Sequence, residues 1–270
     1  MKTVLITGCS SGIGLETARL FQQKGWQVAA TVRRPEDAIE LTAIANCSFY
    51  KLDVNDLNSI QNCISQVLKD FGSIDVLVNN AGVYDTNPLE SVSDEQIQAL
   101  IDTNVLGTLR MTKALLPHFR ERKGGTIVNI SSVAGLTTFP YQTLYHTSKW
   151  AIEGFSEALS YEARDVNVRV KVVEPGMVKT NLYRNIQESS GSKTIQNYST
   201  NYMKWLRFLL ASYKGGYSPV KDARTIYKAV TDRSHRLRYK TDANTRILHH
   251  LHSLLPLRAF NAFVCMISGM

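Results

Sequence analysis

Nowhere in this sequence do two cysteines stand close together. Cys9, Cys47, Cys63 and Cys265 are the only four, and without a CxxC pair or a grouping with histidine they make neither a disulfide framework nor a zinc site. No metal is expected, and a reduced, cytoplasmic setting fits scattered thiols best. His249, His250 and His252 lack a carboxylate or thiol at ligand spacing and read as a surface helix. Long apolar runs are missing too. The run Val4–Ile6 reaches Gly8 almost at once, too short for a signal-peptide core, and reads as a buried strand. The stretch from Leu254 to Met270 is interrupted by Pro256, Arg258 and Asn261, which excludes a membrane span. Docking on the domain and peripheral contact with a membrane surface are the two readings left for it. Acidic residues are in deficit, 23 Asp and Glu against 31 Lys and Arg, for a net charge of +8. Much of the excess lies between Lys221 and Arg258 and reads as a solvated basic face. Charge alone speaks to solubility, so no nucleic-acid partner is inferred from it.

What is present suits one large α/β domain spanning residues 1–270, because 270 residues at 44% hydrophobic can bury a full core. Short β-branched runs at Thr3–Thr7, Gln27–Thr31, Ser48–Leu52, Ile74–Val78, Thr126–Ile130 and Val168–Val173 alternate with helical patterns near 12–24, 56–70, 94–121 and 145–164. Strands that are apolar almost throughout need cover on both faces, which predicts a doubly wound parallel sheet with helices on both sides. Turn residues agree: Lys24-Gly25 and Asp70-Phe71-Gly72 close helices, and Ser93 with Gln96 forms a capping box. After Gly176 the alternation fails. Residues 187–201 are rich in Gln, Ser, Asn and Thr and read as mobile, whereas Tyr202–Tyr213 is apolar enough for a buried helix. An insertion there, about 181–218, is where a substrate lid belongs, and about 240–270 reads as a C-terminal extension.

Strand Thr3–Thr7 runs directly into Gly8-Cys9-Ser10-Ser11-Gly12-Ile13-Gly14 and then a helical pattern. In that context Gly8 lets the chain leave the strand sharply, Gly12 lets backbone N–H groups approach a pyrophosphate, and Gly14 permits close helix–strand packing. An acidic residue at the end of the second strand would take the ribose hydroxyls of NAD; this chain has Arg33 and Arg34 there. A guanidinium binds a 2′-phosphate that a carboxylate would repel, so NADP(H) is the expected cofactor. Glu36 and Asp37 follow closely and would reverse that preference if the strand ended later.

Tyr145 and Lys149, four apart at the start of a helical pattern, share one face. Together with the 7–14 loop, Asn79-Asn80-Ala81-Gly82, Asn104, Ser131-Ser132 and Glu174-Pro175-Gly176, they resemble the short-chain dehydrogenase/reductase family over about residues 1–180, most closely its 17β-hydroxysteroid and retinol dehydrogenases. The resemblance implies a Rossmann fold and a catalytic set of Asn104, Ser132, Tyr145 and Lys149. Tyr145 would exchange the proton, its phenolate favoured by the Lys149 ammonium; Ser132 would hold the substrate oxygen; Asn104 would position Lys149 and a relay water. It further implies cofactor contacts from Ser10, Ser11 and Ile13 on the phosphates, Asp53 and Val54 beside the adenine, Asn80, Ala81 and Gly82 near a ribose, and Pro175, Gly176, Val178 and Thr180 around the nicotinamide. A dimer or tetramer is expected on the same ground. Val83, Tyr84, Leu136, Phe139, Tyr141, Leu144 and Met177 form an apolar pocket list, which points to a lipophilic carbonyl or alcohol as substrate. An NADP(H)-sensing protein and an epimerase or dehydratase of the same fold are the rival readings.

Overall fold

The computed structural model describes residues 1–44, 47–180 and 196–270. In chain order the elements are β1 (Thr3–Ile6), α1 (Gly12–Gln23), β2 (Gln27–Val32), α2 (Ile39–Thr42), β3 (Cys47–Lys51), α3 (Leu57–Phe71), β4 (Val76–Asn79), α4 (Asp94–Ile101), α5 (Gly107–Glu121), β5 (Gly125–Ile130), α6 (Thr143–Glu162), β6 (Val168–Glu174), α7 (Ser199–Lys214), α8 (Val220–Thr231), β7 (Arg238–Lys240), α9 (Ala243–Leu254) and α10 (Leu257–Ser268). The strands form one parallel sheet in the order β3-β2-β1-β4-β5-β6-β7. This is the doubly wound Rossmann arrangement. Strand order reverses between β1 and β4, and the crevice at their carboxyl ends is where such sheets bind ligands.

Both faces are covered, as the unbroken apolar strands require. On one side α1 and α8 bring Phe21 and Ile226 against Val4, Val28 and Val128; on the other α3, α5 and α6 bring Ile60, Leu115 and Leu159 against Leu5, Leu77 and Ile127. Ser93 and Gln96 make both bonds of the capping box, and Gly72 ends α3 at φ +74°.

Three details depart from the sequence reading. The single helix expected over 94–121 is two, because a π turn at Asp102–Leu106 separates α4 from α5 and carries Asn104. The strand β7 went unread. It has three residues, Arg-Tyr-Lys, whose two charged side chains hide the apolar signature, yet Tyr239 between them is buried. Its neighbour β6 carries a buried Lys171, whose Nζ donates to the carbonyls of Ser234 and Arg236 at 2.6 and 2.9 Å. Of the stretch read as mobile, 187–195 lies outside the described residues, while Gln196–Tyr198 forms a 3-10 turn leading into α7. The proposed lid is likewise described only from 196 onward.

Candidate active site

Along the carboxyl edge of the sheet runs a cleft of about 310 Å³ whose walls are the loops after β1, β2, β3, β4, β5 and β6. Its floor is the glycine loop. Gly8 adopts φ +72°, which a side chain would resist, and a Cβ there would come within 2.9 Å of the Ala81 backbone. Gly14 is needed for a different reason: a Cβ would lie 2.2 Å from the Gly8 carbonyl oxygen, forcing α1 away from β1. Ser11 begins α1 without a side-chain capping bond, so the positive end of the helix is left to face the cleft that Ser10, Ser11, Gly12 and Ile13 line. This cradle fits a pyrophosphate.

The cleft also gathers Arg33, Asp53, Val54, Asn80, Ala81, Gly82, Pro175, Gly176, Val178 and Thr180. Two expected cofactor residues behave otherwise. Arg34 is turned to Asp37, with Nε and Nη2 each 3.1 Å from a carboxylate oxygen, and does not line the cleft. Asn80 lines it, but its side-chain amide donates to the carbonyls of Thr7 and Gly8, both at 2.9 Å, so it braces the glycine loop. Asp53 accepts from the Asn55 amide, and the capping residue of α3 is Asp56. Thr31, Asn55, Thr103 and Ser131 also border the cleft; no spacing rule singled them out.

At the inner end stand the catalytic candidates. Ser132 ends the loop after β5; its Oγ accepts from the Ala134 amide at 3.1 Å, and its hydroxyl is hydrogen-bonded to Tyr145. Tyr145 and Lys149 lie on the first turns of α6 and are 7% and 8% exposed. Lys149 Nζ donates to the Ile130 carbonyl at 2.9 Å and sits 5.7 Å from the centre of the Tyr145 ring. Asn104 does not reach Lys149. Its Nδ2 donates to the Val83 carbonyl and to Ser148 Oγ, at 2.9 and 3.1 Å, and its Oδ1 accepts from the Val83 amide at 2.8 Å. The π turn thus pins Asn104 between the loop after β4 and α6.

Burial governs the titration of this pair. It pushes the Tyr145 phenol up to about 12, only partly opposed by Ser132, and pulls the Lys149 ammonium down to about 8, with Glu153 working against the fall. The expected lowering of the tyrosine is not found in the protein alone, because desolvating a phenolate costs more here than its neighbours return.

His146, unremarked in the sequence, holds the next loop. The Phe139 amide donates to its Nε2 at 2.8 Å, which puts the ring proton on Nδ1, 2.7 Å from the Ala134 carbonyl. Only its position beside Tyr145 could have drawn attention to it. Beyond this loop α7 packs Trp205, Leu206 and Leu209 against Tyr84, Phe139, Tyr141 and Met177. The Tyr202 hydroxyl donates to the Thr86 carbonyl at 2.9 Å and Trp205 Nε1 to Thr86 Oγ1 at 3.3 Å, so α7 is anchored to the loop after β4. The Tyr84 ring lies 4.7 Å from that of Tyr145. Leu136 and Leu144 are buried nearby.

Behind the cleft two acids are sunk together. Glu174 is fully buried, neither of its oxygens accepts a hydrogen bond, and Arg238 Nε stands 3.7 Å away. Burial, then the nearby Glu153, push its carboxyl up to about 8, with Lys240, Arg238 and Arg236 pulling the other way. Between an unfolded value near 4.3 and this folded one the native state holds the extra proton, so stability falls as pH rises through that window. Glu174→Gln removes the ionisation. We expect its advantage over the parent to grow by on the order of 4 kcal/mol between pH 5 and pH 9. Chemical denaturation at both values checks this, and an equal loss at both would refute it.

Among the described residues no cluster of three or more His, Cys, Asp or Glu could hold a metal, and no helix is long and apolar enough to cross a membrane.

Similar proteins share this frame. The short chain dehydrogenase family model matches residues 2–191. The 3-ketodihydrosphingosine reductase of Bacteroides thetaiotaomicron is 33% identical over 247 residues, covering 91% of this chain and 89% of its own. Retinol dehydrogenase 8 of Bos taurus is 35% identical over 260 residues, covering 91% and 82%. Among solved structures, ElxO with NADP bound superposes with a TM-score of 0.73 at 30% identity, over 89% of this chain and 97% of that one. With a parallel sheet of the right order, a glycine-floored cleft and a family match over most of its length, the chain belongs to the short-chain dehydrogenase/reductase family of oxidoreductases.

Proposed function

We propose that the protein is an NADP(H)-dependent oxidoreductase interconverting a lipophilic carbonyl compound and its alcohol, with Tyr145 as proton donor or acceptor. The observation that carries this reading is the Tyr145 hydroxyl, buried beside Lys149 and Ser132 at the inner end of a cleft that Arg33 flanks where a dinucleotide's adenosine ribose would lie. When bound, the reduced nicotinamide supplies a hydride to the carbonyl carbon. The chain's own groups do the rest. Ser132, hydrogen-bonded to Tyr145 in the protein alone, would turn its proton to the substrate oxygen and stabilise the negative charge that develops there. Tyr145 is neutral throughout the physiological range, and so holds at Oη the proton that the oxygen takes. Lys149 keeps one N–H on the Ile130 carbonyl and has two left; its positive charge, retained in the main below about pH 8, offsets the phenolate that remains. Arg33 would pair with a 2′-phosphate, a preference in keeping with the NADP held by ElxO.

The aromatic wall of Tyr84, Phe139, Tyr141 and Trp205 favours an apolar substrate body, in line with the names of the two relatives above. Oxidation of NADPH and of NADH by the purified protein, screened over lipophilic and small polar carbonyls, tests the reading. We expect turnover with NADPH and lipophilic ketones or aldehydes, at least tenfold above that with sugars or hydroxy acids. Turnover confined to the polar set would sink the substrate class. The chemistry needs the cleft of one chain only; an oligomer, and membrane contact by the exposed Leu257, Met266 and Ile267 of α10, are separate questions.

A further inference from the structure

Residues 175–180, after β6, supply the cofactor cleft with Pro175, Gly176, Val178 and Thr180, yet form neither helix nor strand. A loop seating a reactive ring must be held by something, since unpaired backbone groups and a free loop are both costly. On one side the Val133 amide, next to Ser132, donates to the Pro175 carbonyl at 2.7 Å. On the other side, among the described residues, Tyr217 contributes three hydrogen bonds. The Gly176 amide donates to the Tyr217 hydroxyl at 3.0 Å; the Tyr217 amide donates to the Met177 carbonyl at 3.1 Å; and the Lys179 amide donates to the Tyr217 carbonyl at 2.9 Å. Val178 and Tyr217 form an isolated parallel bridge.

The hydroxyl is itself oriented. Having accepted from Gly176, it donates to Asp222 Oδ1 at 3.0 Å, and Asp222 is fully buried in the first turn of α8. A phenylalanine would fill the same space but leave the Gly176 amide and the Asp222 carboxylate without this partner. Behind the loop the fit is close: a Cβ on Gly176 would meet Thr245 Oγ1 at 2.7 Å and Asp242 Oδ1 at 2.8 Å. The approach of the two segments is equally tight at Gly216, where a Cβ would stand 2.8 Å from the Met177 carbonyl oxygen. One turn earlier the Tyr213 hydroxyl, at the end of α7, donates to the Thr180 carbonyl. Met177 turns the other way, into the apolar cluster of α7. The helix that walls the substrate side and the loop that walls the cofactor side are therefore stitched together through residues 213–217.

We propose that Tyr217 is a positioning residue which, through its hydroxyl, sets the nicotinamide end of the cleft and ties it to the placement of α7. The inference rests on the cofactor orientation of the proposed function. It assigns Tyr217 no contact with reactants; its effect passes through Gly176 and Met177.

Tyr217→Phe tests it, with three readouts on the full chain: affinity for NADPH, affinity for 2′-phospho-ADP-ribose, which lacks the nicotinamide, and kcat at saturating cofactor. We expect the fragment to bind within twofold of the parent value, kcat to fall about tenfold, and the fluorescence enhancement of bound NADPH at saturation to drop, because only the nicotinamide end is loosened. An equal weakening of fragment and NADPH would mark a general loss of structure and overturn the proposal, as would unchanged kcat and fluorescence. Asp222→Asn, which keeps an acceptor for the hydroxyl, should retain most of the parent kcat; a loss as large as that of Tyr217→Phe would count against the hydroxyl's role. If the parent protein binds neither NADPH nor the fragment, the proposed function itself fails, a result separable from any behaviour of the variants.

Discussion

Tyr145→Phe is expected to lower kcat for carbonyl reduction by about a thousandfold, within the 10² to 10⁴ range that positioned general acids supply, while NADPH affinity changes by less than about threefold. The variant deletes one oxygen from a side chain that is 7% exposed and whose ring, against Tyr84 at 4.7 Å, is retained. Packing is therefore preserved and the missing element is the proton at Oη. Ser132 cannot replace it. A serine hydroxyl can donate a hydrogen bond to the developing alkoxide, but it is too weak an acid to surrender its proton there. Lys149 is the other acid at hand, but its Nζ is anchored at the Ile130 carbonyl and stands 5.7 Å from the centre of the Tyr145 ring, not at the position of Oη. Single-turnover NADPH oxidation together with fluorescence titration of the cofactor measures both quantities. A variant with more than a tenth of the parent kcat would remove Tyr145 from the mechanism. The same experiment separates the rival readings: a cofactor-sensing protein would show no net NADPH oxidation even in the parent, and an epimerase would regenerate its cofactor within each turnover.

Why Tyr145 could be found in the sequence, and Tyr217 could not, is a matter of how each acts. The glycine loop, the Tyr-Lys pair and Ser132 are each fixed by local requirements: a backbone that must leave a strand at φ +72°, two side chains one helical turn apart, a serine at a strand end. Such requirements leave short, spaced patterns. The inner strands β1, β2, β4 and β5 were legible for a related reason, since burial on both faces keeps them largely apolar; β6 remained readable through its valines despite the buried Lys171, and the edge strand β3, which exposes Ser48, Phe49 and Lys51, through its aromatic pair. β7 was not, because at the sheet's edge its Arg238 is engaged by Glu153 and Glu157 at 2.9 and 2.7 Å, an arrangement that needs partners some 80 positions away. Asn104 was expected to position Lys149, whereas its hydrogen bonds go to Val83 and Ser148. The π turn that directs it to Val83 and Ser148 has no sequence signature. Arg34 was grouped with Arg33 because adjacency in sequence does not reveal that the chain turns at Pro35, sending Arg34 back to Asp37. Tyr217 acts through tertiary contacts alone and nothing in its neighbours announces it; His146 and Glu174 stand beside or within quoted motifs, but their buried partners could not be read from them.

The separation of the two arginines makes the cofactor preference a sharp test. Arg33 lines the cleft at the end of β2, while Arg34 is spent on Asp37. Arg33→Asp should reduce kcat/KM for NADPH by about a hundredfold, since a charge-assisted bond to phosphate contributes about 1.5 to 3 kcal/mol and the new carboxylate adds repulsion. With NADH, which has ribose hydroxyls in place of the phosphate, the same substitution should leave kcat/KM unchanged or raise it several-fold, because a carboxylate there can accept from both hydroxyls. The ratio of the two cofactors would then shift by on the order of 10² to 10³. Arg34→Lys, which keeps Asp37 neutralised, should move that ratio by less than about threefold, as this exposed cation does not line the cleft. Asp37 also borders the cleft and supplies the counter-hypothesis: were it the ribose ligand, the parent would prefer NADH and Asp37→Asn would lower NADH use tenfold. Steady-state rates with both cofactors for the parent and these three variants decide between them. An NADH-preferring parent whose ratio is untouched by Arg33→Asp would assign the adenosine end of the cleft to Asp37, and with it a different cofactor.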